Sequence, residues 1–199
     1  MADPRDFWNA RYAMAGFAYG TEPNDLLREA APRLQGPVLS LGEGEGRNAV
    51  FLAGLGLDVT AVDLSAAGLE KARALAAGRG VALTTLEADL ADFDLGEARW
   101  GAIVSIWCHL PPWARQRVHA GVIRALRPGG RFVLEAYTPR QLAFDTGGPK
   151  NEALLYEPDA VRAELAGLTL ERCDELQREV LEGDWHRGRS AVLQVLARR

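Results

Sequence analysis

The most constraining feature of this chain is a regular alternation between residues 36 and 137. Short apolar runs are separated by stretches in which apolar residues recur at helical spacing. The runs cover residues 37–41, 58–62, 81–86, 100–107 and 131–137. Strands that are apolar on both faces and alternate with helices are typical of a parallel sheet covered on both sides. Right-handed crossovers then give a doubly wound α/β fold.

The C-terminal part has a different pattern. A helix is predicted over 157–165, followed by strands over 168–180 and 190–197. The loop between these strands is too short for a parallel crossover, so the last strand should run antiparallel to its neighbours. With the five earlier strands, this predicts a mostly parallel, seven-stranded sheet with an antiparallel C-terminal hairpin.

The N-terminal 35 residues should form two short helices, the second capped by Asn24 or Thr21. We therefore divide a single domain, residues 1–199, into three parts. These are an N-terminal helical lid segment (1–35), a ligand-binding core (36–137), and an acceptor-side loop with the C-terminal hairpin (138–199). The long loop over 139–156 is either a gate over the pocket or an ordinary surface excursion.

Composition narrows the class of protein. The 199 residues include 27 acidic and 23 basic side chains, for a net charge of −4, which argues against a nucleic-acid partner. Two cysteines form no disulfide framework, and the N-terminus lacks the pattern of a signal peptide, so we expect a cytoplasmic protein. No apolar run is long enough to predict a membrane-spanning helix. No His, Cys and Asp cluster has metal-ligand spacing, so no metal is expected.

The strongest candidate site is the glycine-rich segment 42–46, which follows the first strand and opens a helix at Arg47. Its glycines allow a ligand to approach the backbone closely, and the helix start offers free N–H groups. Asp63 ends the next strand, where a carboxylate can accept both hydroxyls of a ribose. Together they predict a nucleoside-containing ligand at this edge of the sheet.

The spacing of the glycines favours one ligand over another. A nicotinamide site usually shows GxGxxG, but the third glycine of that spacing is replaced here by Arg47. Glu43 and Glu45 would repel a pyrophosphate and suit a ligand with a positive charge, such as a sulfonium. This favours S-adenosylmethionine over NAD. An NAD-dependent oxidoreductase, a non-catalytic S-adenosylmethionine-binding protein and an enzyme that modifies protein or RNA remain alternatives.

The sequence resembles the class I S-adenosylmethionine-dependent methyltransferases, which have a Rossmann-like fold. The resemblance is carried by residues 42–48, Asp63-Leu64, Asp89-Leu90 and the turn at 126–130. A narrower resemblance, to the tellurite-resistance (TehB-type) and thiopurine-like group, is carried by Gly46-Arg-Asn48, Leu52-Ala53, Phe7-Trp8, Arg11-Tyr12 and Tyr19–Pro23. It implies S-adenosyl-L-methionine as cofactor, S-adenosyl-L-homocysteine as product, and a small acceptor such as tellurite, selenite, a thiol or a halide-like anion.

The resemblance and the strand ends together give the candidate site residues. The predicted cofactor-binding residues are Arg11, Tyr12, Gly42, Glu43, Gly44, Gly46, Asn48, Asp63, Leu64, Ser65, Asp89, Leu90, Ser105 and Ile106. The predicted catalytic residues are Tyr19, His109 and His186, with Arg11 and Tyr12 also expected on the acceptor side. The partner is a small molecule, and the protein is either a monomer or a homodimer.

Several other residues have two readings. Cys108 is expected to pack rather than to act as a nucleophile. His119 is expected at the surface. Arg140 and Arg187 either grip an anionic acceptor or are solvated. Trp107 and Trp113 either wall the pocket or lie in the core.

Overall fold

The computed structural model describes residues 3–199 and contains one seven-stranded sheet. The strands are β1 (Val38–Leu41), β2 (Val59–Asp63), β3 (Thr84–Glu87), β4 (Trp100–Ile106), β5 (Leu126–Tyr137), β6 (Thr169–Glu182) and β7 (His186–Arg198). Their order is β3-β2-β1-β4-β5-β7-β6. The first five strands are parallel, whereas β7 is antiparallel to both β5 and β6. The predicted fold class, including the antiparallel C-terminal hairpin, is confirmed.

Six α-helices surround this sheet. They are α1 (Pro4–Tyr12), α2 (Asp25–Ala30), α3 (Arg47–Gly54), α4 (Ala66–Gly78), α5 (Pro112–Ala125) and α6 (Pro158–Glu164). Asn24, rather than Thr21, caps α2, because its side-chain oxygen accepts the Leu27 N–H at 3.1 Å. Ser65 caps α4 in the same way through the Gly68 N–H. The protein core therefore lies between the sheet and helices on both of its faces.

Alternation along the central strands divides this core into two apolar layers. Leu39 and Leu41 of β1 enter the layer that also contains Val122 of α5. Val38 enters the opposite layer, together with Leu27 of α2. Every residue of β1, β2 and β4 is buried, which explains why these strands read as continuous apolar runs.

The predicted boundaries differ from the structure at the sheet margins. β3 begins at residue 84 rather than 81. Most of its residues are exposed, because it is an edge strand. The hairpin is longer than predicted, since β6 and β7 pair up to Glu182 and His186. The stretch 139–156 is not structureless either: it contains short 3₁₀ helices at Pro139–Ala143 and Glu152–Leu154. Within residues 3–199, no helix is both long and apolar enough to cross a membrane.

Candidate active site

The strand order reverses between β1 and β4, and the carboxyl ends of these strands form the candidate site. Ligands of open α/β sheets bind at such a switch point. Gly42 follows β1 with φ +59°, and a Cβ atom there would lie 2.6 Å from the Cys108 Sγ. Only a glycine lets the loop pack this closely against the chain leaving β4. Burial raises the pKa of the Cys108 thiol to about 12, so the thiol stays neutral and packs as expected.

The acidic residues of the glycine loop are held by the protein itself. The Glu43 carboxylate accepts the backbone N–H groups of Asn48 at 3.0 Å and Ala49 at 2.9 Å, so it caps α3. The Glu45 carboxylate lies 2.9 Å from the Lys71 ammonium. Each carboxylate thus has a partner in the protein, a helix start or a lysine, and the selection of a cationic ligand by these two charges stays a prediction. The sequence did not predict that Glu43 caps α3, because this contact depends on the direction in which the helix begins.

Asp63 ties the glycine loop to the start of α4. Its carboxylate accepts the N–H groups of Gly44 and Ser65, each at 2.8 Å. Burial raises the pKa of this carboxyl above its ordinary value, while these backbone bonds oppose the shift. Each carboxylate oxygen can accept more than one hydrogen bond, so both keep capacity for a further donor. The geometry fits a group that offers two hydroxyls.

The other predicted cofactor-binding residues fall into two groups. Leu64, Ser65 and Asn48 lie beside the loop, where the Leu64 carbonyl accepts from Arg5 and the Asn48 side chain accepts the Asn24 N–H. Asp89 is exposed beyond the end of β3 and accepts the Ala91 N–H at 2.8 Å. In contrast, Leu90 and Ile106 are buried in the two apolar layers, and Ser105 is buried near the end of β4. Leu90 and Ile106 pack the sheet, so their prediction as ligand contacts has no support in this geometry.

The N-terminal segment lies across the glycine loop and α4. The Asn9 side chain accepts from the Ser65 hydroxyl at 2.7 Å, which docks α1 onto the start of α4. A Cβ atom on Gly44 would lie 2.5 Å from the Tyr12 hydroxyl, so this ring covers the loop. The Lys71 ammonium donates to the carbonyl of Met14 at 2.7 Å. This segment has the position that a lid over the donor side requires.

Four rings form a compact aromatic cluster on the acceptor side. His186 lies with its ring centroid 4.5 Å from that of Tyr19, 5.2 Å from that of Trp107 and 5.5 Å from that of Tyr137. Trp107 and Tyr137 stack at 4.4 Å. The ends of β4 and β5, the β6–β7 turn and the N-terminal segment each contribute one ring. We call these four residues the aromatic pocket.

Three buried polar atoms beside this pocket have no hydrogen-bond partner among residues 3–199. They are the Tyr137 hydroxyl, the Thr138 hydroxyl and Nδ1 of His186. Buried polar groups are normally paired, so orphaned ones indicate a site that a ligand completes. Burial and the nearby Arg47 lower the pKa of His186 to about 3, which keeps its imidazole neutral at pH 7.

His109, a predicted catalytic residue, has both ring nitrogens in contact with backbone groups. Its Nδ1–H donates to the Leu154 carbonyl at 2.9 Å, and its Nε2 accepts the Tyr137 N–H at 3.3 Å. Burial lowers the pKa of this histidine to about 4. Since backbone groups engage both ring nitrogens, His109 fastens the loop after β5 and has no free nitrogen for proton transfer. The structure shows no free nitrogen on His109, and its catalytic assignment stays a prediction.

Other expectations are settled by packing. His119 is buried rather than exposed, because α6 brings Glu164 to within 2.7 Å of its Nδ1. Arg115 donates to the same carboxylate, so helices α5 and α6 share one ion cluster. Trp113 is 63% exposed and belongs to neither the core nor the aromatic pocket. Arg140 is exposed and pairs with Glu175 at 3.3 Å.

An open cleft of about 480 Å³ lies at the opposite edge of the sheet. Its lining includes four arginines, Arg33, Arg127, Arg131 and Arg198. These residues flank the amino ends of the parallel strands, whereas the candidate site lies at the carboxyl ends. The cleft is therefore distinct from the site described above.

The fold is that of a doubly wound α/β protein in which the glycine loop, Asp63 and the four aromatic rings lie at one edge of the sheet. A family model described as a methyltransferase domain matches residues 38–130. This match over 93 of the 199 residues supports the predicted resemblance to S-adenosylmethionine-dependent methyltransferases and agrees with S-adenosylmethionine as the expected cofactor.

Individual relatives are more distant. The 2-heptyl-1-hydroxyquinolin-4(1H)-one methyltransferase of Mycobacteroides abscessus is 27% identical over 131 residues, which cover 64% of this chain and 58% of that protein. A solved structure concerned with converting a disulfide bond into a thioacetal group during echinomycin biosynthesis has a TM-score of 0.80 at 24% identity, covering 99% of this chain and 92% of that one. TehB from Haemophilus influenzae has a TM-score of 0.72 at 19% identity, covering 98% and 66%. These structural likenesses show the shared fold.

Proposed function

We propose that this protein transfers the methyl group of S-adenosylmethionine to a small acceptor bound in the aromatic pocket. The observation that carries the proposal is the set of orphaned polar atoms on Tyr137, Thr138 and His186. They lie at the same edge of the sheet as the glycine loop and Asp63. An acceptor there would lie beside a donor held by the loop.

The chain's own residues would bind, orient and enclose the reactants. When bound, S-adenosylmethionine supplies an electrophilic methyl group on a sulfonium. Asp63 would hold the ribose, and the N-terminal segment would cover the donor and exclude water. A pKa of about 3 makes His186 a weak base, so it would contact the acceptor through its unpaired Nδ1, with Tyr19 in contact with its ring. A thiolate or an oxyanion acceptor needs no proton removed.

The acceptor that we propose is small and soft or anionic, such as tellurite, selenite or a thiol. Arg11 supports this assignment, because it contacts Tyr19 of the aromatic pocket and pairs with no carboxylate among residues 3–199. Its guanidinium lies over the rings of Trp185 at 4.5 Å and Phe7 at 4.8 Å, and it donates to the Tyr19 hydroxyl at 3.0 Å. A cation placed in this way would attract an anion to the pocket.

A flat aromatic acceptor with a hydroxyl group is the second candidate. The stacked rings of Trp107 and Tyr137 favour it, since aromatic groups pack well against such walls. The relative from Mycobacteroides abscessus is named for a hydroxyquinolone acceptor. In either case we propose a cytoplasmic enzyme, monomeric or homodimeric, that acts on a small molecule and not on nucleic acid.

The first experiment is isothermal titration of the protein with S-adenosylhomocysteine beside NADH. Binding of the homocysteine compound alone is expected, and binding of NADH alone would contradict the proposal. The second experiment offers radiolabelled S-adenosylmethionine with tellurite, selenite, a small thiol or a hydroxyquinolone. Turnover of one of them identifies the acceptor class. Binding without turnover of any of them would instead favour a non-catalytic role.

A matched pair of variants tests the pocket itself. His186→Gln should lower turnover about tenfold if the imidazole binds and orients the acceptor. His119→Gln is the control, because it also replaces a buried histidine but lies in the ion cluster between α5 and α6. Equal turnover in both variants would count against the proposed acceptor site.

A further inference from the structure

A buried network of charged side chains lies beside the aromatic pocket. Its members are the carboxylates of Glu135 and Glu182 and the guanidinium groups of Arg47 and Arg178. Glu135 is fully buried, and Glu182 and Arg47 are 6% and 5% exposed. Moving such charges out of water is unfavourable unless each is well paired, and apolar packing often serves stability better. Because burying these charges is unfavourable, we expect a role of the network besides stability.

Glu182 is the member of the network that reaches the pocket. One of its oxygens accepts the Trp107 indole N–H at 2.5 Å and also pairs with Arg47. The other accepts from Asn24 at 2.8 Å and Arg178 at 2.8 Å. Burial opposes ionisation, but Arg47 and the bond from Trp107 outweigh it and lower the pKa of Glu182 to about 2. The carboxylate is therefore charged throughout the physiological range.

Trp107 needs to be held in place. Its φ is +57°, a left-handed conformation that is unfavourable for a residue with a large side chain. Such conformations persist only where the surroundings enforce them, and they cluster at functional sites. The backbone N–H of Trp107 donates to the Glu135 carbonyl at 2.8 Å, and its indole is fixed by Glu182. The ring so oriented stacks on Tyr137 and meets His186 edge-on.

We infer that Glu182 is a positioning residue that fixes the Trp107 indole and thereby shapes the acceptor pocket. The inference rests on the proposed function, because it assigns the acceptor to this pocket. Glu182 also bonds Arg47 at the start of α3 and Asn24 before α2. The Glu182 carboxylate thus contacts helix α3, the N-terminal segment and the Trp107 ring of the aromatic pocket.

The test compares Glu182→Gln with Glu135→Gln. Both variants remove one buried carboxylate charge from the same network, but only Glu182 contacts the indole through its side chain. We expect Glu182→Gln to lower kcat/KM for the acceptor about tenfold or more, mainly through KM, as expected for a buried hydrogen bond to a charged group. Glu135→Gln should change it less than about threefold, and the affinity for S-adenosylhomocysteine should stay within about threefold in both.

A double-mutant cycle with Trp107→Phe isolates the indole contact. Phenylalanine keeps an aromatic ring but has no N–H to donate. If Glu182 acts through that N–H, adding Glu182→Gln to Trp107→Phe should lower kcat/KM less than about twofold further. Full additivity, or equal losses in the Gln variants of Glu182 and Glu135, would overturn the inference.

A measurement independent of turnover separates this inference from the proposed function. In ¹⁵N-edited NMR spectra, the Trp107 indole proton should be protected from exchange in the wild type and in Glu135→Gln. It should lose protection in Glu182→Leu, which leaves no acceptor for the indole, and Glu182→Asp, which keeps the charge on a shorter side chain, serves if the first variant does not fold. An unchanged indole signal overturns the positioning role. Failure to methylate any acceptor, with the indole signal lost as expected, refutes only the proposed acceptor chemistry.

Discussion

Replacing Asp63 with alanine should weaken donor binding about a hundredfold. The carboxylate accepts two backbone N–H groups at 2.8 Å and keeps acceptor capacity that we assign to the two ribose hydroxyls. A hydrogen bond to a charged group contributes roughly 1.5–3 kcal/mol. Two such bonds, partly replaced by water in the variant, give about 3 kcal/mol, and 1.4 kcal/mol corresponds to about tenfold in affinity.

Titration calorimetry with S-adenosylhomocysteine measures this loss directly. The variant also leaves the N–H groups of Gly44 and Ser65 without their acceptor, so its melting temperature should fall. Ser40→Ala is the control, because it removes a buried hydrogen bond to Glu43 in the same loop without touching Asp63. If Asp63→Ala binds the compound within about threefold of the wild type, the ribose assignment is refuted.

Three further predictions concern stability and reactivity. Gly46→Ala, with φ +94° and a Cβ atom 2.6 Å from the Ala72 backbone, should lower the unfolding free energy by about 2–5 kcal/mol in urea titrations. Gly16→Ala, with φ +76° and nothing within 4 Å, should lose only about 1–2 kcal/mol, so equal losses would contradict the packing argument. The folded pKa of His186, about 3, lies below its unfolded value, so its contribution is present above pH 6.5 and lost as pH falls. Relative to His186→Gln, the wild type should lose about 1.4 kcal/mol per pH unit between pH 6 and 4, and parallel curves would refute this. Cys108 is half-buried and desolvation raises its pKa to about 12, so it should react with a thiol reagent at pH 8 far more slowly than a free thiol, and labelling at the rate of a free thiol would contradict this.

Much of the fold could be predicted because its signals are local. The glycine segment 42–46 needs left-handed backbone at three positions, and only the identity of those residues permits it. The cap at Ser65 likewise depends on its own helix start. The short connection before β7 forces an antiparallel hairpin whatever the rest of the chain does. The doubly wound class and the edge of the sheet where we expect the site follow from these features together.

The roles of individual side chains were harder to predict because they depend on distant partners. The Glu43 carboxylate accepts a backbone N–H at the start of α3. The His109 ring bonds the carbonyl of Leu154, which lies 45 residues away in the sequence. His119 is buried because Glu164 comes from another helix. The type of a polar residue gives the hydrogen bonds that its side chain can make. Which partner makes them depends on the tertiary structure.

The sequence by itself determined the doubly wound fold, the glycine loop with Asp63, and the family that the chain resembles. Each follows from short-range spacing, burial pattern or motif order. The tertiary structure alone decided that Trp107 and Arg47 meet on Glu182, from 75 and 135 residues away. The physical reason is that hydrogen bonds and ion pairs act over a few ångströms in space. Which side chains come that close is fixed only when the sheet and helices have packed.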